Sequence, residues 1–91
     1  MSFTVEWMPL AERRLTELWN AGPDRQSIAD AADQADILLQ QDPLGHGESR
    51  AGDTRLMFVR PLSLLFRVDV QARVVQVIRV KREKPAAGGA P

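Results

Sequence analysis

The chain has 91 residues, a formal net charge of zero and no cysteine. That length supplies one hydrophobic core and excludes two, and the missing cysteine excludes a disulfide framework, a thiolate metal site and a thiol nucleophile. No apolar run approaches a membrane span, and Met1-Ser2-Phe3-Thr4-Val5-Glu6 lacks the basic and apolar regions of a signal peptide, so a cytoplasmic protein without membrane attachment is expected.

Phe3 to Trp7 alternates apolar and polar residues among strand formers and predicts a first short strand. Pro9 suits the first turn of a helix and Glu12 its positive end. Leu10, Ala11, Leu15, Leu18 and Trp19 then recur at helical spacing until Asn20-Ala21-Gly22-Pro23 stops the run. A second helix is predicted from Asp24 to Gln41. Its apolar stripe is Ile28, Ala31, Ala32, Ala35, Leu38 and Leu39, with Asp30, Asp33, Asp36 and Gln40 mostly off it, and Asp42-Pro43 ends it.

Gly45 to Asp53 is a long glycine-punctuated connection, of the kind that carries function or moves. Three strands follow: Thr54 to Arg60, Ser63 to Asp69 and Arg73 to Lys81. Their connections, Pro61-Leu62 and Val70-Gln71-Ala72, are short enough for hairpins, which makes an antiparallel meander. Residues 84–91 are small and rich in glycine and proline and are expected to form a disordered tail, leaving a single domain over 1–83. The fold class expected is α+β, in the order β-α-α-β-β-β, with a helical hairpin packed on a small, mainly antiparallel sheet.

Charge divides along the chain. Residues 1–42 carry eight acids against three arginines, net −5, and residues 43–91 carry nine bases against four acids, net +5. The arginine-rich half predicts a surface that attracts phosphates or carboxylates, unless its charges only solvate sheet edges. If Asp69 stands opposite Arg73, then Leu64, Phe66 and Val68 share the helix-facing side with Val74, Ile78 and Val80. The other side then carries Ser63, Leu65, Arg67 and Asp69 beside Arg73, Val75, Val77 and Arg79. Leu65, Val75 and Val77 mixed with arginines have the composition of a surface covered by a partner, or by the long loop or tail.

No motif dictates a reaction. His46 stands alone in a glycine-rich loop, so no metal site is expected. The Asp30, Asp33 and Asp36 series reads as a solvated helix face, and Gly45 to Gly52 lacks the Gly-Lys-Ser/Thr ending of a phosphate loop, so no nucleotide cofactor is expected. Trp7 and Trp19 fall at apolar positions and read as core or interface aromatics. What remains is a basic array of Arg50, Arg55, Arg67, Arg79, Lys81 and Arg82, able to bind a phosphate backbone, stabilise charge in phosphoryl transfer or hold an acidic peptide.

The element order resembles the RelE/ParE toxin superfamily of type II toxin–antitoxin systems. The likeness includes Phe3-Thr4-Val5-Glu6-Trp7-Met8-Pro9-Leu10-Ala11, the Asp42-Pro43-Leu44 break and Val77-Ile78-Arg79-Val80-Lys81-Arg82. It implies a toxin held inactive by a cognate antitoxin, with DNA gyrase as target in ParE-like members and ribosome-bound messenger RNA in RelE-like ones. It also implies a working surface around Arg55, Arg79, Lys81 and Arg82. Glu83-Lys84-Pro85 stands where RelE-like members commonly carry an aromatic residue, and the chain has no tyrosine, which points away from RNA cleavage. The expectation is a toxin-like protein acting on gyrase; the alternatives are a ribosome-dependent endoribonuclease and a non-toxic binding module. Homodimerisation stays open.

Overall fold

The computed structural model describes residues 2–50 and 52–83, so the expected tail at 84–91 lies outside the described residues. In chain order the elements are β1 (Thr4–Trp7), α1 (Pro9–Ala21), α2 (Arg25–Gln41), β2 (Glu48–Ser49), β3 (Thr54–Val59), β4 (Leu62–Asp69) and β5 (Val74–Arg82). The strands form one sheet in the order β1-β5-β4-β3-β2. β1 lies parallel to β5 and the other neighbours are antiparallel. Both helices cover one face of this sheet, giving the two-layer α+β architecture the sequence predicts.

Each helix forms for local reasons and stays because its apolar side is covered. Pro9 occupies the first turn of α1, where its missing N–H costs nothing, and Glu12 sits in that turn. Gly22 ends the helix in an extended conformation, without the left-handed turn a glycine would uniquely permit. Along α2, Ile28, Ala31, Ala35 and Leu39 are buried at spacings of three and four, and the alanines bring the helix close to the sheet. The core joins these residues to Met57, Val59, Leu62, Leu64, Phe66, Val75, Val77 and Val80. Each large side chain buried there contributes about 1.5–3 kcal/mol.

One expectation about the sheet is corrected. Val75 and Val77, read as lining a partner surface, are fully buried on the helix-facing side. Two local features shift the phase. The last turn has four residues, with Arg73 in the left-handed region at φ 57°, so Asp69 pairs with Val74 and not with Arg73. Further on, the pairing passes from Phe66↔Val77 to Leu65↔Arg79, which leaves Ile78 as the extra residue of a β-bulge. Before the bulge Val75 and Val77 point inward; after it Val80 points inward and Arg79 outward, as expected.

The short β2 has no hydrophobic signal in the sequence. It exists through its ladder to β3, Glu48↔Leu56 and Ser49↔Arg55, and through the side chain of Arg55.

Candidate functional site

The helix-free face of the sheet can be assembled row by row from the strand register. Phe58, Ser63 and Lys81 stand side by side on β3, β4 and β5, and Leu56, Leu65 and Arg79 form the next row. Beyond the bulge come Arg67 and Gln76, with Glu6 of β1 alongside. The first two rows and Glu83 enclose a groove of about 300 Å³. Its floor is apolar, and Phe58 remains 54% exposed. At one end the hydroxyl of Ser63, a residue only 3% exposed, donates a hydrogen bond of 2.8 Å to Glu83 Oε2. The Glu83 backbone N–H donates to the carbonyl of Pro61 at 2.8 Å, which fixes that residue past the end of β5.

The six basic residues singled out from sequence do not act alike. Arg55 is consumed by the loop before it. Its Nε donates to the His46 carbonyl at 3.3 Å and its Nη1 to Ser49 Oγ at 3.2 Å, while its Nη2 donates to the carbonyls of Leu44 and Gly47 at 3.4 and 3.2 Å. A planar guanidinium with five donors in a fixed fork suits such a cluster of carbonyls. Arg50 pairs with Glu48 at 3.3 Å and Arg67 with Asp53 at 3.1 Å. Arg82 pairs with Asp24 and ties the end of β5 to the turn between the helices.

That leaves Arg79 and Lys81. Among the described residues neither has an ion-pair or hydrogen-bond partner, and both line the groove. Their strand is held between β1 and β4 over its first half and against β4 over the rest, so the cations project from a fixed backbone. The chemistry on offer is two unneutralised cations, a hydrogen-bonded carboxylate and an apolar floor. Of the residues expected to bind a partner, Leu65 belongs to this floor; Val75 and Val77 lie beneath it, inside the core.

Sequence reading missed Glu83, Ser63, Leu56 and Phe58 as members of this site. A signal existed for Glu83: it continues the two-residue period of Arg79 and Lys81 one step past the strand. His46 contributes only its backbone carbonyl to the Arg55 cluster. Among the described residues no group of three or more His, Cys, Asp or Glu side chains is placed to hold a metal ion.

A second concave surface lies on the helical hairpin, where Leu15, Trp19, Ile28 and Ala32 border a hollow of about 300 Å³. Trp19 is 41% exposed there, with the guanidinium of Arg25 over its ring at 4.7 Å from the centroid. Trp7 is half-buried, and its indole N–H donates to Asp36 Oδ1 at 3.3 Å, so Asp36 anchors β1 to α2 and is more than a solvated charge. No helix among the described residues is long and apolar enough to cross a membrane.

No protein-family model and no curated protein matches the chain. Solved structures do. The RelBE2 toxin–antitoxin complex of Mycobacterium tuberculosis contains a chain 26% identical to this one, matched over 91% of this chain and 100% of that one with a TM-score of 0.75. A chain of the chromosomal ParDE system of P. aeruginosa is 22% identical over 91% of this chain and 98% of that one, TM-score 0.72. A chain of the intact E. coli RelBE complex is 15% identical over 92% and 100%, TM-score 0.64. The element order, the helical hairpin on one face, the basic groove on the other and this agreement along nearly the whole described chain converge: the chain belongs to the RelE/ParE toxin superfamily.

Proposed function

We propose that the chain is the toxin-like component of a type II toxin–antitoxin system, neutralised by a cognate antitoxin and acting in the cytoplasm on DNA gyrase. The observation that carries this reading is the open-face groove. Among the described residues Arg79 and Lys81 stand there without ion-pair or hydrogen-bond partners, over a half-exposed apolar floor, on the fold of toxins solved in toxin–antitoxin complexes. Gyrase is favoured over RNA because Arg55 is engaged by its own loop, tyrosine is absent, and the Glu83 carboxylate sits in the groove where a phosphate chain would lie.

Ribosome-dependent cleavage of messenger RNA is the second reading, and one feature supports it. Glu83 lines the same groove as Arg79 and Lys81, an arrangement able to accept a 2′-hydroxyl proton beside cations that stabilise a phosphorane. The deciding experiment induces the gene alone and with its genomic neighbour, alongside a folded Arg79→Ala/Lys81→Ala variant. Arrest relieved by the neighbour and by the substitutions is expected. Purified protein should then inhibit gyrase supercoiling and leave messenger RNA in a translation extract intact. Harmless expression of folded wild-type protein would refute the toxin reading in favour of a binding module.

A further inference from the structure

We infer that the open-face groove is a receptor for a carboxylate carried on an apolar peptide segment, and that Glu83 is a built-in competitor that occupies it in the free protein. The inference rests on the reading that a partner protein covers this face, and it names the chemistry that partner must present.

The groove already holds a carboxylate. Ser63 is 3% exposed, yet its hydroxyl meets Glu83 Oε2 at 2.8 Å, so a nearly buried donor is committed to an anion supplied by the chain's own end of β5. A hydroxyl left there without an acceptor would be penalised, which makes the position selective for an acceptor group. Arg79 and Lys81 line the same groove, but neither comes within ion-pair distance of Glu83 among the described residues. Two cations thus face one carboxylate that neutralises neither directly, and capacity for a further anion remains.

The floor decides what kind of anion. Leu56, Leu65 and the 54% exposed Phe58 offer apolar contact within reach of the cations. A peptide alternating apolar and acidic side chains satisfies both features at once. A nucleic-acid strand brings a charge at every residue and requires a track of free cations. Arg50, Arg55, Arg67 and Arg82 would supply that track, but each is tied within the chain, and Glu83 opposes a phosphate next to the two cations that remain.

The test is fluorescence anisotropy on the full chain. The probes are a labelled peptide of alternating leucine and glutamate, its leucine–glutamine counterpart, and an oligouridylate of matched charge. Glu83→Gln keeps the shape and a partner for Ser63 while removing the competing charge, and it should bind the acidic peptide about tenfold tighter. Ser63→Ala removes the donor that the peptide's carboxylate would take over from Glu83, so combined with Glu83→Gln it should reduce the gain. Arg79→Ala should abolish the gain, and the glutamine peptide should bind weakly to every variant. Glu6→Gln, at the far end of the same face, removes an equal charge from outside the groove and should change the affinity by less than about twofold.

Equal gains from Glu6→Gln and Glu83→Gln would reduce the effect to net charge and overturn the inference, as would no gain from Glu83→Gln. Oligouridylate binding wild-type protein more tightly than the acidic peptide would overturn it in favour of nucleic acid. The growth experiment separates the two conclusions. Arrest relieved by the neighbouring gene with an indifferent Glu83→Gln variant sinks only the competitor. Tighter peptide binding without arrest sinks only the toxin reading.

Discussion

Replacing Val77 by threonine tests the sheet's phase with little disturbance of shape. Thr matches Val in outline and in strand preference, so the substitution chiefly exchanges a methyl group for a hydroxyl. Val77 is fully buried, paired with Phe66 on one side and Trp7 on the other, within a core of aliphatic and aromatic side chains. A hydroxyl placed there without a partner costs about 1–3 kcal/mol. In a domain of this size each kcal/mol lowers Tm by about 4–8 °C, so a shift of several degrees is expected. Urea unfolding followed by tryptophan fluorescence measures the change, and an unaltered m-value shows that the loss lies in the native state. Leu65→Thr on the open face serves as the comparison and should cost less. Val77→Thr within about 0.5 kcal/mol of wild type would refute the bulged register, because it is the outcome expected of a surface position.

Three further outcomes follow from the packing and the clamps. Leu39→Ala, at a fully buried position of α2, should destabilise by about 2–5 kcal/mol, whereas Ile37→Ala, 52% exposed on the same helix, should stay within about 0.5 kcal/mol; denaturant midpoints decide. Arg55→Ala removes four hydrogen bonds that hold residues 44–49 and should raise amide hydrogen exchange across β2 while leaving β4 protected; unchanged protection at Ser49 and Leu56 would count against the clamp. Arg82→Ala leaves Asp24 without its ion-pair partner and with one carboxylate oxygen already buried and unpaired, so a loss of about 1 kcal/mol is expected, recovered in part by Arg82→Lys and measured from the denaturant midpoint.

The helices and the meander were legible because their signals are local. Pro9 opens α1, the alanine–leucine stripe of α2 repeats at helical spacing, and the three long strands are joined by connections short enough for hairpins. The phase of β5 was not, because a bulge is one residue of slippage that leaves no compositional mark. A warning was nevertheless present in Gln76. Continuous alternation back from Val80 would place that amide against the helices, where burial without partners is costly; the bulge turns it outward. The Arg55 cluster was illegible for a different reason, since three of its four acceptors are backbone carbonyls and carry no residue identity. Equivalent arginines in the sequence therefore divide into structural and unpaired ones only in three dimensions. The groove was half-read: Leu65, Arg79 and Lys81 were named, whereas Ser63 and Glu83 come together only because the β3–β4 turn brings Pro61 against the end of β5.

The bulge at Ile78 has a mechanical meaning as well. β1 pairs with β5 from Val74 to Val77 and stops where the bulge begins, as the chain leaves β1 for α1. A chain lacking Ile78 would keep Val75, Val77 and Val80 inward and Gln76, Arg79 and Lys81 outward, so the fully buried residues of β5 would be unchanged. It would lose the local bend and added twist that an extra residue imposes on a strand. One residue thus works as a swivel between a portion of β5 anchored on both sides and a portion free on one. Deleting it would re-aim the two cations relative to the helical hairpin without altering which residues of β5 are fully buried.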